Sequence, residues 1–101
     1  MINKKQQIEI LNSAKDIILS SPKSCLCDTL SNVINAYGFV GFHANLFNLT
    51  NYLPIFNIDN AIKACKEKGV PLPDGFSRFN YWWDINNRES RIAFIDWMIE
   101  Q

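Results

Sequence analysis

The stretch Asn87–Glu100, NRESRIAFIDWMIE, decides how the rest of the chain is read. At about 100° per residue, Ile92, Ile95, Met98 and Ile99 share one arc of a helix. Ala93, Phe94 and Trp97 take the opposite side, which leaves only a narrow acidic stripe of Glu89, Asp96 and Glu100. A helix that is apolar around most of its circumference has to be covered on two sides. In a chain of 101 residues the second cover is either another copy or the amino-terminal helix. The first is expected here, with Phe94 and Trp97 forming the interface of a homodimer or higher oligomer. Asn86-x-x-Glu89 has the form of a capping box and opens this helix.

Working outward, apolar residues at Ile10, Leu11, Ala14, Ile17 and Ile18 form one stripe of an amphipathic helix from Lys4 to about Ser20. Ser21 and Pro22 suit the cap and first position of a second helix. Its stripe is Leu26, Leu30, Val33, Ile34 and Tyr37, and Gly38 stands where a left-handed cap would end it. Phe39 to Phe42 is a short connector. Ala44 to Leu53 reads as a short helix stopped by Pro54, with Leu46, Leu49 and Leu53 inward. Asn57 caps a helix over Ile58 to Lys68, with Ile58, Ala61, Ile62 and Cys65 inward, and Gly69 and Pro71 end it. Pro71, Pro73 and Gly75 make Val70 to Ile85 a loop, with room for a brief strand at Phe79 to Trp83. The expected fold is all-α or α-dominated: a compact single domain, residues 1–101, of four to five helices, with an aromatic-rich Pro/Gly loop before the last one.

Composition removes several functions. The apolar share of 48% excludes intrinsic disorder, and a chain this long buries roughly 60 to 70% of its unfolded surface without staples. Ten basic and ten acidic residues give a net charge of zero, so no basic face awaits double-stranded DNA. A helix–Gly38–helix reading as a DNA-binding pair fails too, because its second helix lacks Lys and Arg. The polar start Met1–Gln7 and the lack of a long apolar run argue against a secretory signal or a membrane span, so a cytoplasmic protein is expected. Three cysteines fit reduced thiols. A zinc site from Cys25, Cys27, His43 and Cys65 is disfavoured by the single residue between Cys25 and Cys27. No nucleophile elbow, phosphate loop, dinucleotide fingerprint or paired-histidine motif is present. His43 with Cys65, and Asp28 with Asp84, are unspecific pairs, so a non-enzymatic protein without cofactor is expected.

One compositional anomaly remains. Seven of the thirteen aromatic residues lie between Phe76 and Trp97, together with all three arginines, Arg78, Arg88 and Arg91. Arg88 and Arg91 project on the arc of Ile92 and Ile95, inward or at its edge. A cation in a helix's first turn opposes the macrodipole at a cost of about 0.3 to 1 kcal/mol unless an anion compensates. That anion is either a carboxylate of the chain (Asp84, Asp74 or Asp28) or a bound phosphate or carboxylate. With a bound phosphate, Phe79, Tyr81, Trp82 and Trp83 would stack a base. The ligand-binding candidates are therefore Arg78, Phe79, Tyr81, Trp82, Trp83, Arg88 and Arg91.

Three motifs add a resemblance. Leu26-Cys27-Asp28-Thr29-Leu30, Leu53-Pro54-Ile55-Phe56, and Tyr81-Trp82-Trp83-Asp84 followed by Arg91-x-x-Phe94-Ile95-Asp96-Trp97 resemble small proteins encoded by phages and prophages, a family with no assigned activity. The resemblance implies an accessory protein that counters host defence in the bacterial cytoplasm. It would do so by sequestering a phosphate-bearing nucleotide or nucleotide-derived signal or, alternatively, by occupying a host or phage protein through an aromatic and arginine patch. A closed pocket holding Arg88 and Arg91 would suit the first, and an open exposed patch the second.

Overall fold

The computed structural model describes residues 2–21, 26–38, 49–71 and 88–101. Within them the chain is all-α, with five helical segments and no strand: α1 (Lys4–Ser20), α2 (Leu26–Ala36), the single turn α3 (Leu49–Tyr52), α4 (Ile58–Lys68) and α5 (Arg88–Ile99). The expected helix start at Pro22, the Phe39–Phe42 connector, Ala44 to Asn48 with Leu46, the strand at Phe79–Trp83 and the Asn86 cap lie outside the described residues. Among the described residues no helix is long and apolar enough to cross a membrane.

Local chemistry sets the ends of these helices. Asn3 Oδ1 accepts the Gln6 amide at 2.8 Å and the Gln6 side chain accepts the Asn3 amide at 3.0 Å. This reciprocal pair satisfies two donors left over at the start of α1. Asn57 Oδ1 does the same for the Asn60 amide at 2.9 Å, and α4 begins one residue later. At the other end of α4, Gly69 takes φ +70°, a conformation that costs glycine nothing. The Gly69 amide then donates to Lys66 O at 3.4 Å and the Val70 amide to Cys65 O at 2.9 Å, the two bonds of a Schellman closure.

α5 is the centre of the packing. α1 lies against α2 and against α5, and α4 lies against α5. One continuous core runs through Ile10, Leu11 and Ile18 of α1, Leu30 and Ile34 of α2, Ala61 and Ala64 of α4, and Phe94, Ile95 and Met98 of α5. The two-sided burial expected for α5 is present, but both covers come from the same chain. Phe94 is 0% exposed and Trp97 6%. The Phe94 ring stacks on Phe56 with centroids 5.4 Å apart, and the indole N–H of Trp97 donates to the Glu67 carboxylate on α4. Phe94 and Trp97, expected at an interface between chains, are thus buried within the chain itself.

Three stripe positions also differ from expectation. Ile62 stays 38% exposed, because α4 turns Ala61, Ala64 and Cys65 inward, and small residues allow close approach to α5. Ile17 is exposed at the edge of the α1 stripe. Tyr37 is exposed as well, and its hydroxyl donates to Glu9 on α1 at 3.2 Å. Partial burial and this carboxylate push the Tyr37 phenol above its ordinary value.

Phe94→Ala is expected to cost about 3 to 5 kcal/mol in urea unfolding, a large part of the 5 to 15 kcal/mol typical of a domain. An unchanged urea midpoint together with a fall in molecular mass would return Phe94 to an interface between chains.

Candidate functional site

Three chain segments that are distant in sequence meet at the amino-terminal end of α5. Leu19 from the last turn of α1, Lys68 and Val70 from the close of α4, and Arg88, Glu89, Ile92, Ala93 and Asp96 of α5 line an open groove of about 390 Å³. Leu19, Val70, Ile92 and Ala93 supply its apolar surface. Leu19 is 45% exposed, a larger exposure than a leucine has in a finished core.

The groove carries two cations and two carboxylates, and they differ in how they are held. Asp96 accepts Lys15 Nζ at 2.7 Å, which ties α5 to α1. Lys68 Nζ lies 2.6 Å from each carboxylate oxygen of Glu100, which ties α4 to α5. Each such exposed pair is worth about 0 to 1 kcal/mol. Arg88 and Glu89 are exposed neighbours at the first turn of α5, and among the described residues neither side chain has an ion pair or hydrogen bond.

Only one of the sequence candidates reaches this groove. Arg88 lines it, and as the first residue of α5 it stands outside the core rather than on the inward arc. Arg91 is 0% exposed; it sits in the core, engages other groups of the protein and does not line the groove. Arg78, Phe79, Tyr81, Trp82 and Trp83 lie outside the described residues. Leu19, Lys68, Val70 and Asp96 were missed, because their proximity is a product of tertiary packing. One signal was available: Leu19 is an apolar residue off the buried stripe of α1.

Beside the groove, Cys65 is buried, and burial pushes its thiol above the ordinary value, with the neighbouring Ser90 side chain acting in the opposite direction. The Ser90 hydroxyl also donates to Pro71 O at 3.4 Å, which anchors the chain leaving α4 to the start of α5. Cys27 is likewise a buried free thiol. Cys25 and His43, the other members of the conceivable zinc set, lie outside the described residues. Among those described, no three His, Cys, Asp or Glu side chains stand close enough to share a metal ion.

Two outcomes follow. Arg91→Ala is expected to cost about 3 to 5 kcal/mol, because it empties a fully buried position and abandons the groups that the guanidinium engages. Arg88→Ala should stay within about 0.5 kcal/mol; equal, small effects in urea unfolding would contradict this division. For Cys65, the folded pKa lies above the unfolded one, so the unfolded thiol ionises first as pH rises. Stability is then full below the ordinary thiol value and declines above it. Cys65→Ala should flatten that alkaline decline, and a decline of the same slope in the variant would contradict the assignment.

Comparison with family models, with curated proteins and with solved structures finds no match to the chain.

Proposed function

We propose that this chain is a non-enzymatic binding protein, an adaptor or inhibitor, that engages a partner protein through the groove between α1, α4 and α5. The observation that carries the reading is the make-up of that groove. It has an apolar floor from Leu19, Val70, Ile92 and Ala93, a rim of both charge signs and an open mouth. Protein interfaces are built this way, with an apolar centre, a polar rim and arginine among the favoured anchors. The resemblance to small phage-encoded proteins is consistent with it, since occupying a host or phage target needs no catalytic group.

A second reading is sequestration of a phosphate-bearing nucleotide. Lys68 and Arg88 in a groove of this volume favour it, because guanidinium and ammonium groups bind phosphate. Glu89 and Asp96 in the same groove oppose it, since each carboxylate repels a phosphate. Arg91, which a phosphate site was expected to use, is inside the core.

A photo-reactive amino acid placed at Leu19 tests the protein-binding reading in cells, with Lys63 on the exposed face of α4 as the control position. The expected result is a discrete protein adduct from position 19 and none from position 63. No adduct from position 19 would overturn it, and a nucleotide-sized mass retained in native mass spectrometry and lost in Arg88→Ala would put the nucleotide in its place.

A further inference from the structure

Arg88 and Glu89 set a condition on what can occupy the groove. They are adjacent, exposed and opposite in sign, and neither is engaged among the described residues. The remaining two charges are held by Glu100 and Lys15. A partner of one sign, such as a polyanion or an acidic peptide, gains from one of the two neighbours and is repelled by the other. A partner with the same two charges in reverse order satisfies both. Such a surface already exists, because a two-fold axis beside the groove presents the same pair in reverse. The whole chain carries no net charge, so two copies approach without long-range repulsion. Leu19, exposed at the groove, gives each copy an apolar side chain to set against the other's floor.

From this charge arrangement we propose that a second copy of the chain docks on the groove across a two-fold axis, with Arg88 of each protomer paired to the partner's Glu89. The proposal rests on the groove being a protein-binding surface, and it names the occupant. It replaces Phe94 and Trp97, which the chain buries itself, with a different surface for self-association.

Sedimentation velocity over a wide concentration range, on the wild-type chain and on Arg88→Glu, Glu89→Arg and the double exchange R88E/E89R, tests it. The wild type is expected to dimerise reversibly. Each single reversal sets like charges against one another and should weaken the dimer about tenfold or more, and the double exchange should restore it. Both residues are exposed, and Arg88→Glu removes a cation from the positive end of α5, so its weaker dimer could not be ascribed to a weaker helix. A wild-type monomer at every concentration, a dimer indifferent to the single reversals, or a double exchange that fails to restore it would each overturn the proposal. The position-19 adduct separates the two levels. A product of twice the chain mass supports the second copy, an adduct with a different protein on a monomeric chain overturns only the second copy, and no adduct overturns both.

Discussion

The packing of α5 between α1 and α4 is the constraint on which the rest of the structure depends. α5 has apolar side chains on nearly every face, and three polar contacts at or beside its last turns tie it to its neighbours. Asp96 reaches Lys15 on α1, Glu100 reaches Lys68 on α4, and Trp97 closes on Glu67 of α4. The stabilisation comes mainly from the buried Phe94, Ile95 and Met98, with roughly 1.5 to 3 kcal/mol for each such side chain taken from water. The polar contacts, which are individually weak, fix the rotation of α5 between its neighbours. That rotation puts Ile92 and Ala93 at the floor of the groove and Arg88 and Glu89 at its edge.

Position along α5, not rotation about its axis, separates two arginines that lie three residues apart and so on nearly the same face. One turn of helix is enough to carry Arg91 into the core while Arg88 remains in solvent. A guanidinium does not give up its proton in a protein, so Arg91 is a charge held inside the core. Arg88 and Glu89 thus line the groove at its edge, while Arg91 is part of the core beneath them.

Much of the helical framework was legible in the sequence, for reasons that can be located. α1 and α4 have the bounds expected from their periodicity, since Asn57 and Gly69 mark the ends of α4 through their side-chain acceptor and left-handed conformation. The Asn3-x-x-Gln6 capping box was also readable and was overlooked. The orientation of α4 was legible in Ala61 and Cys65 but not in Ile62. Ile58 and Ile62 outweigh Ala61 and Ala64 on any hydrophobicity wheel, yet close approach to α5 selects the small residues. Likewise, the pattern of α5 required two covers without saying whose they were. The groove was the least legible feature, because the close of α1, the close of α4 and the start of α5 become neighbours only after the core has formed. Arg88 alone was found in advance, through the electrostatic oddity of a cation at a helix start.

The chain covers both sides of α5 itself and leaves the groove at its first turn open. Amide hydrogen exchange on dilute protein tests it most directly. The account predicts that the amides from Phe94 to Met98 are the most protected in the molecule, opening only with global unfolding, and that dilution leaves their protection unchanged. Rapid exchange in α5 at low concentration, with protection returning as concentration rises, would show that its cover comes from another chain and would contradict the account.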